Sequence, residues 1–434
     1  MGTGQGRRLA PEEVDFRTIV RPGDMVVWTP GAGEPVSLIE RLLDQRHEIG
    51  PFRIFLGGSY SGVVRPEHAD VVRLFGLGGI GANRALCRAG VMDVVPCAYS
   101  ELPWLLTEGP LAADVVLAGA ALPDETGRLG FGAACGYVAA PLATARTVVV
   151  EVNARAPRTR SRAGFSRADV VVEVDRPLVA QPAGAPDEIE ARIAARVAEL
   201  IPDGATVQLG VGKLPGAVLG ALRGHRNLGL HTGIVGDEAI ALIEAGVITN
   251  ALKPELPGIS VTGSLLGTEA LYRFADGRRD LSMEPVEFTH AHKVLAALPR
   301  FTAINSALEV DLTGQVGAEL VDGAFVGAVG GQGDFVRGAL ASEGGRSIIA
   351  LPSRTRRGEP RIVAALASGT VTTPRADADL VVTEHGVAEL RGQPIAERAR
   401  RLIAIAHPDD REALERQALE GLAGIARPLG AAVR

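Results

Sequence analysis

The stretch LGLHTGIVGDEAIALIEAGVITN, beginning at Leu228, sets a histidine, a threonine and two acids around what reads as a strand-to-helix turn. Turns of that kind are where α/β proteins place reacting groups, because they lie beyond the carboxyl ends of strands. The residue at the tip, however, is Gly233, which has no side chain to react. Just upstream, VQLGVGKLPGAV contains Gly210, Gly212, Lys213 and Pro215 between a strand and a helix. Glycines there let the backbone close on a ligand, and the helix N-terminus favours an anion or a developing oxyanion. Pro215 breaks the glycine pattern of a dinucleotide fingerprint, so that cofactor is not expected; a plain tight turn is the alternative reading. A second segment, FVGAVGGQGDFVRGAL, carries Gly330, Gly331, Gln332, Asp334 and Arg337. Its consecutive glycine N–H groups could form an anion nest, and the Gln332 amide could bind a polar ligand group. A third, PDETGRLGFGAACGYVAA, around Gly127 to Gly136, reads either as a substrate lid or as a loop closing over a sheet edge.

Other chemistries lack their residues. No H-x-x-x-H, H-E-x-x-H or thiol pair occurs, so no metal is expected, and no G-x-S-x-G supports a serine hydrolase. His290 and His292 in FTHAHK are too close for one helix face and read as surface or loop residues. Cys87, Cys97 and Cys135 have no C-x-x-C spacing and suit buried free thiols in a reducing cytoplasm. The net charge is −6, and no basic run is interleaved with aromatics, so nucleic acid is not an expected partner. RAPRTRSRAGFSR, near residue 160, reads as a solvated loop. MGTGQGRRLAPEE has no apolar core for a signal peptide, and no apolar run reaches spanning length; a cytoplasmic protein without a membrane partner is expected.

These loops need strands and helices to hold them. The chain has 434 residues, too many for one hydrophobic core. DMVVWT, PFRIFLG, DVVLAGA and RTVVVEVN read as strands in the first half, and ATVQLG, LGLHTGIV, FTAIN, SIIALP and DLVVTEHG in the second. Each is apolar on consecutive positions, as in parallel strands covered on both faces, and helical patterns lie between them. RPGDMVVWTPGAGEPVSLIERL, from Arg21, is echoed by IPDGATVQLGVGKLPGAVLGAL, from Ile201. Both run through proline, an acid–glycine pair, a strand, G-x-G, proline and a leucine-bearing helix, which points to duplicated domains. RPLVAQPAGAPDE, from Arg176, reads as the linker, dividing the chain into residues 1–183 and 184–434. Asp187 then opens a helix with Ile189, Ile193, Val197 and Leu200 on one face, and HPDDREALERQALEGLAGIARP closes the chain as another amphipathic helix. The expected fold class is therefore α/β: two related domains with mainly parallel sheets flanked by helices.

The segments LPDETGRLGFG, VVVEVNARAPRT, DGATVQLGVGKLPGAV, LGLHTGIVGD, INSALEVDLTGQV, GGQGDFVRGA, GGRSIIALPS, VVTEHGVAELRG and IAHPDDRE follow one another along nearly the whole chain. In them the chain resembles the acetyl-CoA hydrolase/transferase family, in particular its 4-hydroxybutyrate and butyrate CoA-transferase branch. The resemblance implies two CoA-transferase-type domains with the acyl-CoA site at their junction, acyl-CoA as substrate and a homodimer. It implies contacts to CoA from Gly210, Val211, Gly212, Lys213, Leu214, Gly330, Gly331 and Gln332. In such transferases a glutamate directly after a His-Thr or His-Ser pair attacks the thioester, forming a mixed anhydride and then a glutamyl-CoA thioester. Here His231 and Thr232 are followed by Gly233, and the nucleophile is absent. Asp237 matches an acid the family also carries. The loop from Gly327 to Gln332 departs from the usual S-G-x-G-G-Q, and PRTRSRAGFS lacks the usual Gly-x-Ser.

Three expectations follow. The first is an enzyme that binds an acyl-CoA, or a similar thioester, and passes the acyl group directly to water, an amine, a hydroxyl or a nucleophile within the same substrate. His231 is the nearest side chain that could serve as general base, although a structural role in positioning the turn is the favoured reading of it. The second is a working CoA-transferase with a carboxylate supplied by Glu238, Glu284 or Glu287. The third is a CoA-binding protein without catalysis.

Overall fold

The computed structural model describes residues 6–165 and 167–421. The first half forms one eight-stranded sheet from β1 (Arg7–Leu9), β2 (Met25–Trp28), β3 (Phe52–Leu56), β4 (Val72–Gly76), β5 (Met92–Val94), β6 (Val115–Ala120), β7 (Thr147–Asn153) and β8 (Val170–Val174). Its order is β1-β8-β7-β6-β2-β3-β4-β5, with every neighbouring pair parallel. The second half forms a six-stranded sheet from β9 (Thr206–Leu209), β10 (Gly229–Leu230) and the strands Thr302–Ser306, Arg346–Ala350, Leu380–Thr383 and Gly386–Glu389. All of its pairs are parallel except that made by Gly386–Glu389, which returns antiparallel along one edge. The chain is thus α/β with mainly parallel sheets and helices between the strands.

The echoed segments occupy equivalent places. β2 leads through a glycine turn into the helix Val36–Asp44 and on to β3, which pairs beside it. β9 leads through Gly210–Gly212 into the helix Lys213–Ala221 and on to β10, again its parallel neighbour. Consecutive apolar residues in these strands are covered on both sides: Met25, Val26, Val27 and Trp28 are all buried, as are Val207 and Leu209. One apolar cluster runs through both halves, joining Ala118, Val150 and Phe131 to Val207, Leu230 and Ile348.

Several expectations are adjusted. β1, β4, β5 and β8 were not among the strands read from composition, and LGLHTGIV keeps only Gly229–Leu230 in the ladder. There the chain makes one more bond, His231 N–H to Val207 O at 3.1 Å, and then turns away. The helix after the linker spans Glu188–Glu199, capped by Asp187, whose carboxylate accepts from Glu190 N–H at 2.9 Å. Its buried stripe is Ile193, Ala194, Val197 and Ala198, while Ile189 is exposed. The linker is itself tied down: Gln181 N–H donates to Gly267 O at 2.8 Å and Tyr272 Oη to Val179 O at 2.6 Å. Of the C-terminal amphipathic stretch, Arg411–Gly421 is helical with Leu414 and Ala418 buried; its continuation after 421 lies outside the described residues. The Gly127–Gly136 segment is no simple lid. Its first residues are exposed, but Phe131, Ala134, Cys135 and Tyr137 are wholly buried, and the Cys135 and Gly136 N–H groups donate to Gly263 O. Among the described residues no helix is long and apolar enough to cross a membrane.

Candidate active site

The carboxyl ends of β2 and β3 in one sheet and of β9 and β10 in the other converge on a cavity of about 270 Å³. Pro30 and Gly31 follow β2 and Gly58 and Tyr60 follow β3; Val211 follows β9, and Thr232, Gly233 and Ile234 follow β10. The two glycine turns of the sequence echo therefore face each other across one space. Gln208 and Asn305 form its polar floor, their amides paired at 3.3 Å from Asn305 Nδ2 to Gln208 Oε1. The loop Gly330–Gln332 and Phe335 complete the wall. A second cavity, of about 520 Å³, shares Tyr60 and Val211 with the first and is also lined by Gly212, Arg84, Asp237 and Glu238.

The halves are stitched at this point by backbone. Gly79 N–H donates to Gly327 O and Tyr99 N–H to Gly330 O, each at 2.9 Å. A Cβ on Gly79 would lie 2.1 Å from Phe325 O, so only glycine permits the approach. The Asp334 carboxylate accepts from Ser100 N–H at 3.1 Å and from its hydroxyl at 2.6 Å. Asp334 belongs to the helix Gln332–Ala341, whose N-terminus begins at the cavity wall.

The turn carrying Gly233 is held from three sides. Thr232 N–H donates to Val261 O at 3.0 Å, its hydroxyl to Leu209 O at 2.7 Å, and the Ser264 hydroxyl to Gly233 O at 3.2 Å. His231 points away from the cavity. It is 1% exposed, packs against Phe288 and Phe301, and its Nε2 lies 3.1 Å from Thr289 O, an acceptor that requires Nε2 to carry the proton. Burial first, and the neighbouring Lys253 second, push its pKa down to about 3. A ring so enclosed braces the turn and has no path to a substrate in the cavity, so the general-base assignment does not hold in this geometry.

Gly233 itself does not have a left-handed backbone, so an ordinary residue would fit its φ and ψ. What a side chain would meet is His290: an ideal Cβ at 233 lies 2.9 Å from its Cε1 and 3.0 Å from its Nε2. The same ring overhangs Gly331, whose Cβ would lie 2.5 Å from Nε2. The imidazole thus fills the space between the two glycines, packed at 4.9 Å from the Tyr99 ring and 4.5 Å from Phe335. This corrects the surface reading of His290; His292 is exposed as expected. The cause is an interruption of the helix between Val286–Thr289 and His292–Ala297: Ala291 is extended, so the two histidines leave on different sides.

Among the described residues no aspartate or glutamate lies on the wall of the smaller cavity. Glu238, first residue of the helix Glu238–Glu244, lines only the adjoining one. Glu284 is buried elsewhere, accepting from the Ser282 hydroxyl at 2.6 Å and pairing with Arg162 at 3.5 Å, and Glu287 is on the surface. Asp237 is occupied by Thr268 N–H and hydroxyl at 2.9 and 2.8 Å. Of the residues that the resemblance implies for CoA, Val211, Gly330, Gly331 and Gln332 line the smaller cavity and Val211 and Gly212 the larger. A Cβ at Gly210 or Gly212 would meet nothing within 4 Å, so open space lies over that loop. Leu214 faces the core, and Lys213 lines neither cavity. Tyr60, Tyr99, Gln208 and Asn305 were not singled out from the sequence, although Gln208 and Asn305 stood within quoted motifs, and His290 was read there only as a surface or loop residue.

Two α/β halves, each built on a mainly parallel sheet, thus meet with their glycine loops over one small cavity. The chain belongs to the acetyl-CoA hydrolase/transferase family: the family's N-terminal domain matches residues 7–179 and its C-terminal domain residues 267–418. It is 38% identical to a 4-hydroxybutyrate coenzyme A transferase of Clostridium kluyveri, over 90% of this chain and 92% of that one. Among solved structures, RipA from Yersinia pestis superposes with a TM-score of 0.90 at 32% identity, covering 96% of this chain and 97% of that chain. A 4-hydroxybutyrate CoA-transferase from Porphyromonas gingivalis gives 0.80 at 33% identity, covering 96% and 98%.

Proposed function

We propose that this protein is a divergent member of its family that binds an acyl-CoA, or a similar acyl thioester, and transfers or releases the acyl group without a glutamyl-CoA intermediate. The observation that carries the reading is the cavity wall at Gly233: it has no carboxylate, and the His290 ring stands where a side chain on residue 233 would begin. A thioester carbonyl seated over Gly233 has the N-terminus of the Gln332–Ala341 helix beside it, a place that stabilises an oxyanion as the tetrahedral adduct forms. The CoA thiolate is a good leaving group, so an oriented acceptor suffices once the carbonyl is polarised. The adjoining cavity past Val211 and Gly212 offers room for the extended part of the thioester. The acceptor is water, an amine, a hydroxyl or a nucleophile within the same substrate.

A second reading has Glu238 supply the carboxylate of an ordinary CoA-transferase, favoured by its place on the adjoining cavity. One experiment separates the two. Acetyl-, butyryl- and 4-hydroxybutyryl-CoA are incubated with the protein, with and without carboxylate acceptors, while free thiol is followed; parallel samples are reduced with borohydride and digested for mass spectrometry. Thiol release without a reduced glutamyl adduct supports direct transfer. A trapped adduct on any glutamate rejects it, and CoA binding without turnover of any of these thioesters leaves a binding protein.

A further inference from the structure

We infer that His290 is the group that takes the proton from the incoming acceptor, through Nε2. The inference rests on the direct-transfer reading and names its base. Four observations lead to it. His290 lines the cavity and is the titratable group nearest Gly233, its Nε2 lying 3.0 Å from where a Cβ there would stand. Its Nδ1 lies 2.8 Å from the Thr289 hydroxyl, which in turn donates to Pro285 O at 3.3 Å. With the hydroxyl proton directed at a carbonyl, the hydroxyl oxygen accepts from Nδ1–H, which leaves Nε2 unprotonated. Among the described residues Nε2 has no hydrogen-bond partner, whereas its neighbour His231 spends Nε2 on Thr289 O. Finally, the ring is held in one orientation by Tyr99 on one side and Phe335 on the other.

The acceptor X–H hydrogen-bonds to Nε2; the X–C bond forms at the thioester carbon as the proton passes to Nε2 and the carbonyl pair moves onto oxygen. Collapse restores the carbonyl and breaks C–S, the bonding pair leaving on sulfur, which receives the proton from Nε2. The sum is acyl-S-CoA plus HX giving acyl-X plus CoA-SH, with His290 returned to its starting form. In the empty cavity burial keeps the ring neutral, with a pKa of about 3. The titratable groups facing it are Tyr99, whose hydroxyl burial pushes upward, and His231, also neutral. Charge on the imidazolium is therefore favoured only while the oxyanion exists beside it, and the pair forms and disappears together.

The test uses the intact protein with the acyl-CoA that the wild type turns over, and His290→Asn. The Asn amide keeps a donor to the Thr289 hydroxyl and lacks an atom at the Nε2 position. The expected result is a fall in kcat for thiol release of about 100-fold or more, with the thermal shift produced by CoA unchanged. Thr289→Val, which removes the partner of Nδ1, lowers kcat, and Thr289→Ser restores it; a packing role alone would not separate Val from Ser in kcat while leaving CoA binding intact. Added imidazole restores part of the rate to His290→Gly. If the wild type releases thiol and His290→Asn keeps its rate within about threefold, the assignment falls and direct transfer stands. If the wild type yields a borohydride-trapped glutamyl adduct, or no thiol at all, the parent reading falls and takes the assignment with it.

Discussion

Placing one methyl group on Gly233 probes whether His290 fills the space that a side chain at residue 233 would take. The backbone at 233 accepts an L-residue, so Gly233→Ala introduces no backbone strain and limits the unfolded chain, which by itself stabilises by about 0.4–1 kcal/mol. Against this, the new Cβ lies 2.9 Å from His290 Cε1, where carbon atoms rest at about 3.5–4.0 Å. The ring is backed by Phe335 and Tyr99 and has little room to withdraw. Overpacking of this kind costs about 1–3 kcal/mol, so the single variant is destabilised on balance. His290→Ala alone loses the ring's contacts and the bond to Thr289, on the order of 2–3 kcal/mol. In the His290→Ala background the clash is gone, and Gly233→Ala becomes neutral or stabilising. The double variant is therefore less destabilised than the sum of the singles by about 1–3 kcal/mol. Urea midpoints of the four proteins, compared at equal m, give the coupling directly. Additivity within about 0.5 kcal/mol would refute the overlap of the two positions.

Further expectations concern chemistry and pH. Gly233→Glu combined with His290→Gly gives the carboxylate both an anchor and room, so this double variant yields a borohydride-trappable glutamyl adduct and the wild type does not; a trapped wild-type adduct would reverse the proposed mechanism. Because burial holds His290 and His231 near a pKa of about 3, the rate of thiol release shows no inflection at the ordinary histidine value of 6.5; a half-maximal rate there would mean His290 is solvated. Glu151 is buried, accepting from Leu38 N–H at 3.1 Å, and desolvation pushes its pKa up to about 7. A folded-state value above the unfolded one means that its contribution is present below about pH 4.5 and lost as pH rises through about 7. Glu151→Gln should therefore compare more favourably with wild type at pH 8 than at pH 5, by roughly 1–3 kcal/mol; an unchanged difference between the two pH values would show that the carboxyl is not so shifted.

Much of the architecture could be read from consecutive apolar residues, because strands buried on both faces admit little else; β2, β3, β6, β7 and β9 lie within the stretches expected. β8, VVVEV, was passed over although it reads the same way, and β5 is three residues at an edge with Asp93 at its centre. The site was legible where backbone makes it. Glycines at 31, 212 and 330 have positive φ, which other residues rarely adopt, and such positions announce themselves in a sequence. His290 could not be read that way. Its importance comes from a break between two four- to six-residue helices and from a partner 57 positions earlier in the chain, neither of which has a periodic signature. His231 offered a general base because it stands two residues before Gly233, but the chain leaves the ladder after Leu230 and the ring packs against Phe288 and Phe301, which bears out its reading as a brace for the turn.

The bonds from Gly79 to Gly327 and from Tyr99 to Gly330 have a consequence for how a guest gets in. The segment that clasps the first half is the same one that roofs the chamber, so swinging the halves apart tears the roof at once instead of uncovering a finished receptacle. Amide exchange at Gly79 and Tyr99 therefore counts opening events, with no guest required, and a thioester that slows both together is one that the clasp has closed upon.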